Sequence, residues 1–298
     1  MKKQKTVSIK AKLLGVIIPV VIAIVVVLVV AAYQISAGTI KKYSQNLLQS
    51  SVENQASQIE AWLNENLASF QMAKTIIEDL KPSDEELKTI LDGYYGYNSN
   101  YPEGLYVADS TGQLITASES TKKESDVTNS TWYKEGLTRV NMAVGSAYQN
   151  ADGVNVISAS GILNDGSDKV RVISADMTLD RIAIIVNSFI EMNDAEAFLV
   201  DKTSGVILAN RDSSLISQTL GAEGQSHFYQ LTAEKAAEKD YNFATLDGNM
   251  TVFQEVDGTN WLLISYIPTS IVLSDRTQLR NCLLYTSPSP RDRQKSRM

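Results

Sequence analysis

The sequence predicts an α+β fold in which a transmembrane helix and a long stalk helix precede two tandem units with antiparallel sheets. Three observations predict it. Residues 13–32 form an unbroken apolar run, residues 34–80 repeat apolar side chains every three or four positions, and residues 104–268 contain the same series of hairpin and strands twice.

The apolar run from Leu13 to Ala32 predicts a membrane span. It contains no charged residue, and at 1.5 Å per residue it covers about 30 Å, the thickness of the hydrocarbon core. Five lysines precede it without any acidic residue: Lys2, Lys3, Lys5, Lys10 and Lys12. This charge bias predicts a cytoplasmic N-terminus. A cleaved signal peptide is the alternative, since it shares the basic start, although its apolar region is usually shorter.

The segment from Gln34 to Leu80 predicts one long helix. It has no proline and one glycine, Gly38. Its apolar residues form a single stripe at helical spacing: Leu48, Val52, Ala56, Ile59, Leu63, Leu67, Phe70, Ala73, Ile77 and Leu80. The alternative to one long helix is two helices with a break near Gly38. A stalk of this kind predicts a parallel homodimer. Ser83 and Glu86 form a capping-box pattern for a short following helix.

Composition excludes several classes of function. Residues 33–275 hold 16 basic and 33 acidic residues, a net charge of −17, which is unsuited to nucleic acid. The only cysteine is Cys282 and the only histidine is His227, so a fold held by disulfides is excluded and a zinc site is disfavoured.

A duplication explains the region after the stalk. A hairpin pattern surrounds Gly112 and another surrounds Gly205, 93 residues later. The strand predicted at 170–176 has its counterpart at 261–267, 91 residues later. The strands predicted at 154–161 and 250–256 precede them. Three elements in the same order at a similar spacing predict a tandem repeat of an α+β unit.

The sequence contains no motif typical of an enzyme. It lacks a nucleotide-binding glycine loop, a His-Glu-x-x-His pair, a Cys-x-x-Cys pair and a Gly-x-Ser-x-Gly turn. We therefore expect a protein that is not an enzyme and needs no cofactor. A membrane-anchored hydrolase and an adhesion domain are the less favoured alternatives.

One group of residues in the first repeat predicts a binding site. Trp132 and Tyr133 begin a short helical run, Tyr148 precedes a turn, and Asp176 ends a strand. Asp176 shares a strand face with Val172, and a carboxylate on an apolar face requires a partner. Aromatic rings beside it would suit a ligand with an amine or a donor-rich group. The alternatives are a helix-start role for Asp176 and core packing for the aromatic pair.

These residues resemble the double-Cache sensor domain of bacterial methyl-accepting chemotaxis proteins, with greatest similarity to those of gut Firmicutes. The resemblance covers residues 1 to about 280 and rests on Trp132–Lys134, the Ala147–Tyr148 pair, the Asp152–Gly153 turn and the run Ile173–Leu179. It implies two PAS-like (Cache) units, of which the membrane-distal one binds the ligand.

Departures from the family pattern alter the expected ligand. The amino-acid-binding branch carries an arginine where this chain has Ser130, and an aspartate where it has Asn150. Serine cannot replace the bidentate clamp that arginine forms on a carboxylate. We therefore expect an amine or a neutral polar molecule rather than an ordinary α-amino acid. The predicted ligand-binding residues are Trp132, Tyr133, Tyr148, Asn150, Asp176 and Ser130.

The resemblance also predicts how the chain is organised and how it signals. We expect sensing outside the cell and output through a second membrane helix to the cytoplasmic chemotaxis kinase and adaptor. A histidine kinase or a diguanylate cyclase is the alternative output. The predicted segments are a basic cytoplasmic tail (1–12), transmembrane helix (13–32), stalk helix (33–80), membrane-distal Cache unit (81–185), membrane-proximal Cache unit (186–268), exit helix toward a missing second span (269–280) and a non-native tail (281–298).

Overall fold

The computed structural model of the chain describes residues 9–150, 153–188, 192 and 194–272. The predictions for residues 1–8, for the exit helix beyond residue 272 and for the tail at 281–298 lie outside the described residues. The chain divides into two compact bodies. Of the described residues, one body comprises 9–47 with 268–272, and the other lies within Leu48–Ile267.

Helix α1 extends from Ile9 to Leu80. The alternative of two helices with a break near Gly38 is wrong, because helical hydrogen bonding is continuous through that position, as one long helix requires. Within the described residues, this is the one helix that is long and apolar enough to cross a membrane. Its large apolar side chains between Val16 and Val30 are all exposed, as a lipid-facing segment requires.

The predicted stripe of α1 is largely buried within the second body. Eight of its ten residues are buried, whereas Leu67 is half-buried and Leu80 is exposed. Polar side chains of α1 add fixed contacts. Gln55 Nε2 donates to the main-chain oxygen of Ser188 at 2.9 Å, and Gln71 Oε1 accepts from the main-chain N–H of Met142 at 2.8 Å.

Helix α2, Asp84–Asp92, follows α1 and begins with the predicted capping box. The Ser83 main-chain N–H donates to Glu86 Oε2 at 2.8 Å, while the Ser83 hydroxyl accepts from the Glu86 main-chain N–H. These bonds satisfy donors that the first turn of a helix leaves unpaired.

The first sheet and its helices, called the first module below, contain five strands in the order β2-β1-β5-β4-β3. All four neighbouring pairs are antiparallel. The strands are β1 Leu105–Asp109, β2 Leu114–Ile115, β3 Ala143–Gln149, β4 Asn155–Leu163 and β5 Arg171–Thr178. The short helix α3, Thr131–Gly136, packs on this sheet, and α4, Asp180–Val186, follows it.

The second module repeats the order as β7-β6-β10-β9-β8. Its strands are β6 Glu196–Asp201, β7 Ile207–Asn210, β8 Ala244–Leu246, β9 Asn249–Val256 and β10 Trp261–Pro268. Helix α5, His227–Ala237, packs on this sheet, and α6, Thr269–Val272, follows β10. The predicted α+β fold class with two antiparallel sheets is confirmed.

Strand register identifies equivalent positions in the two modules. Asp109 pairs with Arg171 in the first module, and Asp201 pairs with Trp261 in the second. Five residues beyond Arg171 and Trp261 lie Asp176 and Tyr266, which are therefore counterparts. By the same register, Tyr106 on β1 corresponds to Phe198 on β6.

The two predicted hairpins use the same turn device. Asp109 Oδ1 accepts from the main-chain N–H of Thr111 at 2.8 Å, and Asp201 Oδ1 accepts from that of Thr203 at 2.8 Å. Gly112 and Gly205 have φ of +84° and +72°. In each hairpin, an aspartate side chain accepts a hydrogen bond from the turn's main chain and a glycine adopts positive φ. Both residue types favour turns, so the sequence could predict the two hairpins.

Candidate ligand-binding site

An open cavity of about 570 Å³ lies in the first module beside β5. Four of the six predicted site residues line it: Ser130, Tyr148, Asn150 and Asp176. A cavity of this volume is within the usual range for small-molecule sites. The carboxylate of Asp176 is its most buried charged group.

The sheet register gathers three hydroxyl groups around Asp176. Its Oδ1 accepts from the Tyr106 hydroxyl at 2.5 Å, the Tyr148 hydroxyl at 2.9 Å and the Ser158 hydroxyl at 2.5 Å. Ser158 lies directly opposite Asp176 on β4, and Tyr106 lies opposite Ser174 on β1. Because β5 is the central strand, its neighbours on both sides can satisfy one carboxylate.

A lysine completes the environment of this carboxylate. Lys122 Nζ lies 2.6 Å from Asp176 Oδ2 and 4.2 Å from the centre of the Tyr106 ring. The side chains of Lys122 and Asp176 are only 9% and 8% exposed. Lys122 comes from the loop between β2 and the short 3-10 helix Val127–Asn129.

The hydroxyl groups of Tyr106 and Tyr148 remain hydrogen-bond donors. Burial raises the pKa of Tyr106 and of Tyr148, and the charge of Asp176 raises both further. A phenol with a raised pKa stays protonated at neutral pH, so each hydroxyl can donate to the carboxylate.

Trp132 and Tyr133 lie behind this group of residues. Both are buried in the core of the first module, and the Trp132 ring meets the Tyr106 ring edge-on at 4.9 Å. Trp132 Nε1 donates to Glu124 Oε2 at 2.8 Å, and Glu124 itself lines the cavity. Direct ligand contact by Trp132 and Tyr133 stays a prediction. Trp132 contacts Tyr106 and Glu124, and Tyr133 packs against the Trp132 ring.

Glu124 adds a second carboxylate, and on balance its surroundings raise its pKa. Burial raises its pKa, while the Trp132 hydrogen bond and the charge of Lys122 oppose that rise. Together with Glu103, Lys123 and the Lys122–Asp176 pair, Glu124 gives the lining three carboxylates and two ammonium groups. The described residues contain no group of three or more metal-ligating side chains.

Ser130 and Asn150 form polar parts of the cavity wall. The Ser130 hydroxyl donates to the main-chain oxygen of Val127 at 2.5 Å. Asn150 Oδ1 accepts from the main-chain N–H of Val154 at 2.9 Å and so closes the β3–β4 turn. Neither side chain carries a cation that could clamp a carboxylate ligand.

The equivalent region of the second module is filled by aromatic rings. Tyr266, the counterpart of Asp176, packs 4.4 Å from the centre of the Phe228 ring and 6.3 Å from that of Phe198. Its hydroxyl donates to Glu196 at 2.5 Å. The second module thus has a packed core at the position where the first has a charged cavity.

Comparison with known families agrees with this architecture. The dCache_1 model of the Cache domain matches residues 32–275. The chain belongs to the Cache domain family. Cache domains of this kind are ligand-binding domains without enzymatic activity, so the predictions of a sensor family and of no enzyme are confirmed. No curated protein matches the chain.

Several solved structures share the fold. The ligand-binding domain of Mlp24 with asparagine has a TM-score of 0.65 at 17% identity, covering 81% of this chain and 98% of that one. The Pseudomonas fluorescens chemoreceptor CtaA with L-isoleucine has 0.63 at 20%, covering 80% and 98%. The Pseudomonas aeruginosa chemoreceptor PctC with GABA has 0.58 at 19%, covering 75% and 99%. This Cache domain therefore has a chemoreceptor-type fold.

Sequence reasoning missed four of the residues that organise the cavity: Tyr106, Lys122, Glu124 and Ser158. Tyr106 and Ser158 sit in strands whose alternation was readable, but their position beside Asp176 depends on cross-strand register. Lys122 and Glu124 lie in a loop without periodicity, so the sequence carries no signal for where they point.

Proposed function

We propose that this Cache domain is an extracytoplasmic sensor of small molecules in chemotaxis and that the cavity at Asp176 is its ligand site. The cavity itself carries the proposal, because it combines adequate volume with a buried charge and converging hydroxyl groups. The ligands of the similar chemoreceptor domains, asparagine, L-isoleucine and GABA, support a ligand of this size.

The lining supports a polar ligand other than an ordinary α-amino acid. Ser130 supplies no cation for a ligand carboxylate, and Asn150 supplies no second carboxylate for an amine. The remaining groups are hydroxyls, amides, three carboxylates and two ammonium groups, which suit an amine or a neutral polar molecule with several hydrogen-bonding groups. Nucleobases and sugar derivatives belong to the neutral class.

A ligand screen tests the site. The full chain in lipid nanodiscs would be screened by thermal shift against amines, amino acids, nucleobases and sugar derivatives, and the best compound measured by calorimetry. We expect Asp176→Ala to abolish binding. Glu196→Ala removes the carboxylate that accepts from the Tyr266 hydroxyl in the second module, and it should leave binding unaltered. Equal affinity in Asp176→Ala would contradict the assignment of the site, and Tyr148→Phe serves if Asp176→Ala does not fold.

The exposed face of α1 supports the parallel homodimer. Met72, Ile76 and Leu80 are exposed apolar residues spaced four apart, so they form one stripe along the helix. With Cys282 replaced by serine, Ile76→Cys should give a disulfide-linked dimer, and Asn64→Cys, at an exposed polar position, should not. Equal cross-linking of both variants would contradict a dimer along this stripe.

The five lysines before the apolar run support a cytoplasmic N-terminus. The first module is then the membrane-distal Cache unit, which binds the ligand. Signalling proceeds to the chemotaxis kinase and adaptor through a second span. A histidine kinase or cyclase domain encoded beyond residue 280 of the intact gene would replace chemotaxis by the alternative output.

A further inference from the structure

The ion pair between Lys122 and Asp176 lies in the wall of the cavity. We propose that Lys122 is a tethered ammonium group that occupies the cation subsite of the cavity and excludes amine ligands, so that the sensor takes neutral polar molecules. This inference rests on the proposed function, since it concerns the ligand class of the same site.

Lys122 already makes the contacts that a ligand ammonium would seek. It pairs with Asp176 Oδ2 at 2.6 Å and lies over the Tyr106 ring at 4.2 Å. An ion pair and a cation–π contact are the usual means by which a protein holds an ammonium group. In this structure, one side chain of the chain itself satisfies both.

Asp176 has little capacity left for another cation. A carboxylate offers about four acceptor positions. Its Oδ1 holds three hydroxyl donors and its Oδ2 holds the ammonium of Lys122. A ligand ammonium would have to share Oδ2 with Lys122, and the two like charges would repel each other. Displacement of Lys122 is therefore required for an amine to bind there.

Covalent attachment makes Lys122 an effective competitor. An intramolecular group acts at an effective concentration in the millimolar range or higher. An external amine binds only to the fraction of molecules whose subsite is vacant, so its apparent association constant is the intrinsic one multiplied by that fraction. A neutral ligand can use the other lining groups, such as Asn150 and Thr178, and leaves the ion pair intact.

A gain of binding tests this inference. Ethanolamine and ethylene glycol are probes of similar size that differ by one ammonium group. Calorimetry would compare wild type, Lys122→Met and Lys123→Met in nanodiscs, since Lys123 also lines the cavity but is exposed. We expect ethanolamine to bind Lys122→Met at least tenfold more tightly than the other two proteins, with no such gain for ethylene glycol.

A second variant shows that the gain depends on the vacated carboxylate. The double variant Lys122→Met, Asp176→Asn has neither the ammonium nor the carboxylate. It should therefore not bind ethanolamine more tightly than wild type does. If Lys122→Met does not fold, Lys122→Gln retains a neutral donor and carries the same expectation. No gain for ethanolamine in the folded variant would overturn the inference.

The inference and the proposed function fail in different ways. Tight amine binding by wild type would overturn the inference and leave the sensor site standing. A screen that finds no ligand for wild type would count against the proposed function, whereas ethanolamine binding by Lys122→Met would still report a vacated cation subsite.

Discussion

The two modules share a strand order and a hairpin device, yet they differ at one equivalent position. The first places Asp176 on its central strand, within reach of Tyr106 and Lys122. The second places Tyr266 there, packed against Phe198 and Phe228. The shared backbone thus sets the architecture, while a few side chains on one sheet face decide between a polar cavity and a packed core.

The two arrangements, a buried ion pair and packed aromatic rings, differ in their contribution to stability. Burial of a charge destabilises a protein unless the charge is paired and hydrogen-bonded. Aromatic packing at the same place stabilises without that requirement. A module that keeps a buried Lys122–Asp176 pair where its counterpart uses rings departs from the simplest stable solution, as functional sites often do.

The largest expected effect concerns the packed core. Phe198→Ala removes a fully buried ring and should lower the free energy of unfolding by about 4 kcal/mol. Urea unfolding followed by tryptophan fluorescence measures it. Ligand affinity of the folded protein should stay unchanged, so a parallel loss of affinity would break the division between the two modules.

Asp176→Ala should have a somewhat smaller effect on stability and a decisive one on binding. It leaves the Lys122 ammonium nearly buried without its partner, so the free energy of unfolding should fall by about 3 kcal/mol. Combining it with Lys122→Met should recover part of the loss, because the unpaired charge is removed. Additive losses in the double variant would show that the two groups are not coupled.

Acid sensitivity should arise in the first hairpin. Burial raises the pKa of Asp109, but hydrogen bonds from Lys169 and Thr111 outweigh it and lower the pKa to about 2. Since this lies below the ordinary value of 3.8, the stabilisation is present above about pH 4 and is lost as the pH falls toward 2.

Asp109→Asn removes this contribution, which is about 2 kcal/mol. The difference in unfolding free energy between wild type and Asp109→Asn should therefore narrow between pH 4 and pH 2, which denaturation at several pH values measures. A constant difference across that range would contradict the lowered pKa. In the Lys169→Met background, Asp109→Asn should lower the free energy of unfolding by less at neutral pH than it does in wild type.

The smallest expected effect on stability concerns the hairpin turn that the two modules share. Gly112→Ala and Gly205→Ala each force a side chain into positive φ and should each cost about 1 kcal/mol. A Cβ at Gly112 meets no atom within 4 Å, and at Gly205 it makes only an ordinary contact with Thr219. The two losses, measured by urea unfolding, should therefore be similar. Strongly unequal losses would show that the turns are not equivalent.

The sequence predicted the features that depend on local pattern. The stripe of α1, the capping box at Ser83 and the two hairpins follow from spacing and turn chemistry, and the structure confirms them. Asp176 was recognisable as a carboxylate on an apolar strand face. The partners of Asp176 could not be predicted. Tyr106 lies beside it because of the register between β1 and β5, and Lys122 reaches it from a loop without a regular pattern.

Matched tyrosine substitutions test the central claim most directly, namely that the first module binds the ligand and the second is a packed support. Calorimetry with the best compound of the screen would compare Tyr148→Phe, which removes a donor to Asp176, with Tyr266→Phe, which removes a donor to Glu196. We expect the affinity of Tyr148→Phe to be at least tenfold weaker than that of wild type and the affinity of Tyr266→Phe to be unchanged. Unchanged affinity in Tyr148→Phe with a loss in Tyr266→Phe would contradict it.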